Sequence, residues 1–348
     1  MTYGYNPYLS SWSPFHGALY AVVQAISKVV AMGGDYRRIR MSFQEYFEKL
    51  GKDEERWGKP FAALLGAYLA QKNFGIPSIG GKDSMSGTFL DLNVPPTLVA
   101  FALAPMDVRY AVSQEFKAAD SKVVLLPVIR DKKDVPDFEE LKKAYGRLHE
   151  LIKEGYVLSS STVKEGGIAA ALTKMCFGNG IGINITRDLG FDRLFTPDFG
   201  SIIVEIAKDA DIEKLLSDIK YEVIGETWNK KSIYINGIEI DLTEAYDSWS
   251  STLEDIFPTK AEKAEKVFNI EYKERNTKRS QVKYASPKVL IPVFPGTVDE
   301  YNTARAFEEA GAKTDIMIIK NLAPQLIEES INQLARKINE SQILVLLG

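Results

Sequence analysis

The residues best placed to do chemistry run from Ile76 to Gly87, Ile-Pro-Ser-Ile-Gly-Gly-Lys-Asp-Ser-Met-Ser-Gly. An apolar stretch ends in two glycines, and a cation, an anion and two hydroxyls follow. Gly80 and Gly81 lack the Cβ that would keep a ligand or a second backbone at a distance. Lys82 offers a point charge to a phosphate, Asp83 a seat for a metal or a proton, and Ser84 and Ser86 hydrogen bonds to phosphate oxygens. The same composition also makes a solvated hairpin, and spacing alone does not separate the two. A second glycine pair, Gly166 and Gly167, follows Glu165 and opens an apolar segment, Ile168 to Cys176. A strand, a glycine turn and a helix N-terminus favour anions because unpaired N–H groups point out of the first turn. An ordinary tight connection accounts for that pattern equally well.

The elements that must position these residues follow from periodicity. Ala18, Ala21, Val22, Ala25, Val29 and Met32 recur at helical steps, so a helix is expected over Gly17 to Met32, ended by Gly33 and Gly34. Arg37 to Phe43 alternates as a strand does, and Trp57 to Gln71 reads as an alanine-rich helix opened by Pro60. The Gly80 to Ser86 stretch is then a loop, and Leu98 to Ala104 a buried strand. Beyond it lie strand Lys122 to Val128, helix Phe138 to Lys153, strand Tyr156 to Ser161 and helix Ile168 to Cys176. Strands follow at Ser201 to Ile206, Tyr221 to Ile224 and Ser232 to Ile235, with a hairpin turn at Asn236-Gly237. From Ser250 to Tyr284 the residues are mostly charged and weakly patterned, with helical spacing at Lys260 to Lys266. A final βαβαβ pattern comprises strand Val289 to Val293, helix Glu300 to Ala310, strand Lys313 to Ile319, helix Ala323 to Ile338 and strand Gln342 to Leu347. It implies parallel strands with right-handed crossovers and an unfinished sheet edge.

Composition excludes several classes. With 43 basic against 47 acidic residues there is no polycationic face, so nucleic acid is not an expected partner. The single cysteine, Cys176, makes no internal disulfide, which fits a reducing compartment, and its apolar neighbours make it core filler. No apolar run reaches membrane-spanning length, and Met1 is followed by Thr-Tyr-Gly-Tyr rather than a basic and then apolar leader. A cytoplasmic protein without membrane contact is expected. His149 sits on a charged helix and reads as a surface residue, whereas His16 caps or packs the first helix. The aromatic run Tyr3 to Trp12 reads as a surface that packs on residues outside this chain.

Gly-Gly-Lys-Asp-Ser-Met-Ser resembles a signature of the large, single-chain phosphoribosylformylglycinamidine synthases, the glutamine-dependent ligases of purine synthesis. The similarity continues in Ser13-Pro14-Phe15-His16-Gly17-Ala18, in Gly33-Gly34-Asp35-Tyr36-Arg37-Arg38 and in Val94-Pro95-Pro96-Thr97-Leu98. It runs over nearly the whole chain, but to an internal and late portion of that enzyme. The implied fold class is α+β followed by α/β. Residues 1–108 and 109–248 resemble the N- and C-terminal-type domains of aminoimidazole ribonucleotide synthetase, in a second copy of that pair. Residues 249–286 are then a linker, and 287–348 resemble only the opening of a flavodoxin-like class I glutamine amidotransferase. The expected partners are the first half of the synthase core, the rest of the glutaminase and small-molecule substrates, with a homodimer through the first domain as a further possibility. The isolated chain is expected to be inactive as a ligase.

The resemblance also assigns roles. In shorter relatives the loop matching Gly80 to Ser86 gives a backbone contact to ATP, a metal-binding side chain and a hydroxyl for the substrate phosphate, which fall here on Gly81, Lys82 and Ser84. A protonated ammonium has no lone pair for Mg²⁺, so Lys82 is expected on phosphate, or Asp83 takes the metal. Ser42 and Phe43 resemble a segment beside the nucleotide. The family's auxiliary nucleotide site holds ADP with magnesium in some members. It uses a Glu and an Asn on the first helix, where this chain has Gln24 and Lys28. It also uses an Asp and a Ser before the second glycine pair, where this chain has Thr162 and Lys164. No Mg²⁺ is therefore expected there. Either Lys28 and Lys164 pair with phosphates directly or the site is empty. The competing reading is a non-catalytic nucleotide-binding or scaffold module. A complete kinase-like relative fits less well, since such chains carry no glutaminase-like start.

Overall fold

A computed structural model describes residues 1–260, 271–274 and 282–348. They fall into two compact units, Met1–Glu262 and Lys263–Gly348. The helical spacing expected at Lys260 to Lys266 lies largely outside the described residues.

The larger unit opens with β1 (Thr2–Gly4) and two capped helices, α1 (Pro7–Trp12) and α2 (Pro14–Ala31). Ser13 caps α2 by accepting the His16 N–H, and Pro14 suits the first helical position because no intrahelical partner awaits its missing N–H. The helix therefore begins three residues before the Gly17 set by apolar rhythm. Strand β2 (Arg40–Tyr46) leads to α3 (Glu54–Phe74). Asp53 is the cap that starts α3, accepting the N–H groups of Glu55 and Arg56, and Pro60 lies inside the helix rather than opening it. Gly66 lets α3 lie on α2: a Cβ there would stand 2.0 Å from the Phe15 carbonyl oxygen.

The expected Gly80 to Ser86 loop is mostly strand, β3 (Ser78–Ser84), paired in parallel with β2. The two-residue strands β4 (Thr88–Phe89) and β5 (Leu92–Asn93) form a small ribbon before β6 (Thr97–Leu103). Sheet order is β1-β6-β2-β3, with β3 on the edge. Met41, Leu98, Ala100 and Ala102 point inward and are fully or almost fully buried, while Phe101 and Leu103 alternate to the outer face.

The second sheet has order β13-β12-β9-β11-β7-β10-β8. Its elements in chain order are β7 (Lys122–Leu126), α4 (Phe138–Lys153), β8 (Val157–Thr162), α5 (Gly167–Phe177), β9 (Gly182–Ile185), α6 (Phe191–Phe195) and β10 (Ile202–Ile206). They continue with α7 (Ile212–Leu215), β11 (Glu222–Trp228), β12 (Ser232–Ile235), β13 (Ile238–Asp241) and α8 (Leu242–Ser250). All its pairings are antiparallel except β9 with β12. Asn236 and Gly237 both adopt positive φ in a two-residue turn, so Ile235 faces Ile238.

The two sheets share one hydrophobic cluster, which runs from Leu19, Val22 and Ile26 of α2 to Leu148, Ile202 and Leu216. Phe74 stacks on Tyr145 and meets Phe138 edge-on. Arg130 ties the same interface by polar contacts. It pairs with Asp198 at 2.6 Å and donates to the Tyr20 hydroxyl and the Phe199 carbonyl. His149, expected on the surface, is half-buried, with Nδ1 2.9 Å from the Gly33 carbonyl oxygen. His16 sits between the Ser13 hydroxyl and the Lys133 carbonyl, in a packing and capping position. A separate cluster under α5 contains Cys176, fully buried and with its thiol pushed up to about 12 by burial.

The smaller unit has a parallel sheet of order β15-β14-β16. Its elements are β14 (Lys288–Val293), α9 (Glu300–Glu309), β15 (Lys313–Ile318), α10 (Pro324–Asn339) and β16 (Ile343–Leu344). Val289, Leu290 and Ile291 of the central strand are fully buried, and β16 contributes only two paired residues.

Candidate functional site

The glycine stretch does not form one cradle, because strand geometry divides it. In β3, Lys82 and Ser84 pair with Gln44 and Tyr46 of β2, while Gly81 and Asp83 pair with Phe43 and Glu45. Side chains alternate across a sheet, so Lys82 and Ser84 lie on the outer face and Asp83 on the opposite one. Ser42, the partner of Gly80, is on the outer face with Lys82, whereas Phe43 packs against the core. Ser84 and Ser86 are hydrogen-bonded to each other, hydroxyl oxygens 2.8 Å apart. Gly81 is glycine for the backbone's sake: a Cβ would come within 2.6 Å of the Phe43 carbonyl oxygen.

On the inner face, Glu45 is 5% exposed and its Oε1 has no hydrogen-bond partner, while Asp83 beside it is exposed. Burial first, and the Asp83 charge second, push the Glu45 carboxyl up to about 7. Glu45 is in phase with Met41 and Phe43, so the alternation of β2, carried two residues past Phe43, already puts this carboxyl on the inner face. Its register with Asp83 is what only pairing reveals.

The other candidate set does assemble. A pocket of about 510 Å³ is bounded by Met1 to Tyr3, Lys28 of α2, Ser160 to Thr162 at the end of β8, Lys164 and Glu165, and Lys174 of α5. Lys28 Nζ donates to the Tyr3 carbonyl at 2.6 Å and lies 4.4 Å from the centre of the Tyr3 ring. Its pKa is lowered to about 8, by burial first and by the Lys164 charge second, with Glu165 opposing. Glu165 in turn accepts from Asn6 Nδ2 at 2.6 Å.

Three of the residues assigned to this site are not on its wall. Gln24 is buried and its Oε1 accepts the Tyr5 N–H at 3.0 Å, which fixes the N-terminal segment. Gly166 and Gly167 form the turn into α5. A Cβ on Gly167 would stand 2.4 Å from the Leu194 carbonyl oxygen, so close packing accounts for that glycine. Lys174, Glu165 and Ser160 were not foreseen as lining residues. A lysine in the last turn of the otherwise apolar α5 was the only sequence signal among them.

Apart from the Glu165 carboxylate, the charged groups lining this pocket are cationic. Lys28, Lys164 and Lys174 have no lone pair to give when protonated, and the one amide oxygen assigned to the site is already engaged. The pocket suits an anion whose charge the ammonium groups share. Among the described residues no three His, Cys, Asp or Glu side chains gather as a metal cage, and no helix is long and apolar enough to cross a membrane.

Comparison with known proteins follows the same lines. No protein-family model matches the chain. It is 23% identical over 291 residues to the phosphoribosylformylglycinamidine synthase subunit PurL of Thermoplasma volcanium, covering 73% of this chain and 36% of that one. The PurL subunit of Thermus thermophilus is 22% identical over 278 residues, covering 72% of this chain and 38% of that one. The chain is similar to PurL. Among solved structures, Thermotoga maritima PurL complexed with FGAR superposes with a TM-score of 0.55 at 15% identity, covering 90% of this chain and 52% of that one. The same protein complexed with AMPPCP gives 0.54 at 17%, covering 79% and 48%. These likenesses establish a PurL-type fold. The chain spans well under half the length of the curated PurL relatives it matches.

Proposed function

We propose that this chain supplies the second half of a phosphoribosylformylglycinamidine synthase core, the ATP- and glutamine-dependent ligase that turns a formamide into an amidine in purine synthesis. Homology to PurL supports the reaction class. The single observation that carries a nucleotide role is the lysine-lined pocket between α2 and α5, in a fold whose PurL neighbours have been solved with ATP, ADP and AMPPCP.

In this reading the outer face of β3, with Lys82 and Ser84, meets the ATP and substrate phosphates held by the first half of the core, which is the chain's principal partner. The cationic pocket holds an ADP-like nucleotide without Mg²⁺, Lys28 and Lys164 taking the place of the ion. The β14 to β16 unit is the opening of a glutaminase whose remainder delivers ammonia. The cytoplasm is the compartment such a pathway enzyme occupies. The deciding experiment mixes the chain with a first-half synthase core and assays ammonia-dependent amidine formation. Turnover lost in Lys82→Ala supports the assignment, and no turnover in the mixture defeats it.

A second reading, a nucleotide-binding scaffold without turnover, is favoured by the absence of a carboxylate ligand set among the described residues lining the pocket apart from Glu165. ADP binding in the chain alone, together with no turnover in the mixture, selects it.

A further inference from the structure

We propose that a second hollow, between α1, the start of α2 and the loops at residues 130–134 and 197–199, binds a small organic cation of the alkylammonium, amidinium or guanidinium class. The cavity, of about 370 Å³, shares only Glu165 with the lysine-lined pocket, and its occupant does not depend on the nucleotide reading. Its walls are aromatic. Tyr20 and Phe199 are buried, ring centres 6.3 Å apart, while Tyr8 and Trp12 are exposed and form the mouth. The π-face of an aromatic ring attracts a cation, most strongly where water is excluded. Arg130 already uses one of these faces, its guanidinium carbon 5.4 Å from the centre of the Tyr20 ring.

The charges on the wall point the same way. Arg130 is the one lysine or arginine lining the hollow, and Asp198 neutralises it at 2.6 Å. Two carboxylates, Asp134 and Glu165, also line it, and among the described residues neither forms an ion pair. Both are held in place. Asn6 Nδ2 donates to Glu165 at 2.6 Å, and the Tyr20 hydroxyl donates to the Asp134 backbone carbonyl at 2.7 Å. The Asp134 carboxylate itself accepts no hydrogen bond from the described residues. His16 offers no free donor to an anion, since its ring nitrogens face the Ser13 hydroxyl and the Lys133 carbonyl. An anion entering here would meet two like charges and no uncommitted cation. A cation bearing N–H groups finds carboxylate acceptors in need of donors and rings to lie against, in a site whose ordering is already done.

The test titrates the full chain by calorimetry with benzamidine, a planar amidinium, and with benzamide, its uncharged counterpart of nearly the same shape. One benzamidine per chain is expected at millimolar concentration or below, with benzamide about tenfold weaker or undetected. Asp134→Asn and Glu165→Gln should each weaken benzamidine about fivefold, and Trp12→Ala about threefold. Asp209→Asn, an exposed carboxylate elsewhere, should leave it unchanged. Asp134 has φ 56, a conformation that asparagine also adopts, and a glutamine at 165 can still accept from Asn6, so the two carboxylate variants keep the local fold. A loss in one carboxylate variant alone supports the proposal and names that carboxylate as the anchor. Equal affinity for benzamide and benzamidine would make this a plain apolar hollow and overturn the proposal. Absence of benzamidine binding at tens of millimolar, or binding indifferent to both carboxylate variants, overturns it as well.

Discussion

Gly81 lies so close to Phe43 that a single added methyl would stand 2.6 Å from the Phe43 carbonyl oxygen. The first prediction follows directly: Gly81→Ala should push β3 off β2 and destabilise the larger unit by about 1–3 kcal/mol. Denaturant melts of wild type and variant measure it. A variant as stable as wild type would mean that ligand approach, not strand packing, keeps this residue small.

Glu45 should make stability depend on pH in an unusual direction. Its carboxyl is raised from 4.5 to about 7, so between those values the folded chain holds a proton that the unfolded chain has released. The stability this gives is fully present below about pH 4.5 and is lost as pH rises through about 7. In metal-free buffer Glu45→Gln is therefore expected to match wild type in acid and to exceed it above pH 7, by about 1–2 kcal/mol. Thermal melts across that range would reveal a variant that is instead less stable at pH 8, which would contradict the assignment.

Lys28 carries the opposite linkage. Burial and Lys164 lower its pKa from 10.5 to about 8, so the folded chain gives up this proton sooner than the unfolded one, and stability rises with pH between those values. A bound anion needs the ammonium form. ADP affinity, read by calorimetry without Mg²⁺, should fall as pH climbs through about 8. Lys28→Met should weaken binding about tenfold and flatten that profile. A wild-type profile with no change through this range would remove Lys28 from the site.

Arg130 is the polar bolt between the two sheets. Removing it leaves Asp198 without its cation at 2.6 Å and Tyr20 without its donor, so Arg130→Met should cost about 3 kcal/mol. The double variant with Asp198→Asn should recover part of that loss. Strict additivity in the double-mutant cycle would show that the pair is not coupled.

Helix α4 was legible from sequence because its burial repeats at helical spacing, and α2, buried on every side, because its apolar run is long enough to be a core helix; the boundary differences trace to caps at Ser13 and Asp53 that rhythm alone does not weigh. Strand β3 was not legible. Two glycines, two serines and two charged residues in seven positions have the composition of a loop, and only pairing with β2 makes them a strand. That misreading also hid the division of Lys82 from Asp83. The meeting of Lys28 with Lys164 came from resemblance, not from any local pattern. Glu45 was missed because the expected strand ended at Phe43; two residues further, the same alternation places it on the apolar face with Met41.

The sealed thiol of Cys176 has a practical use. It is the chain's single sulfhydryl, wholly inaccessible and held largely protonated by its surroundings. A thiol reagent should reach it only when the cluster beneath α5 opens, so the labelling rate becomes a clock for that opening. The β14 to β16 unit carries no cysteine, so the clock reads the larger unit.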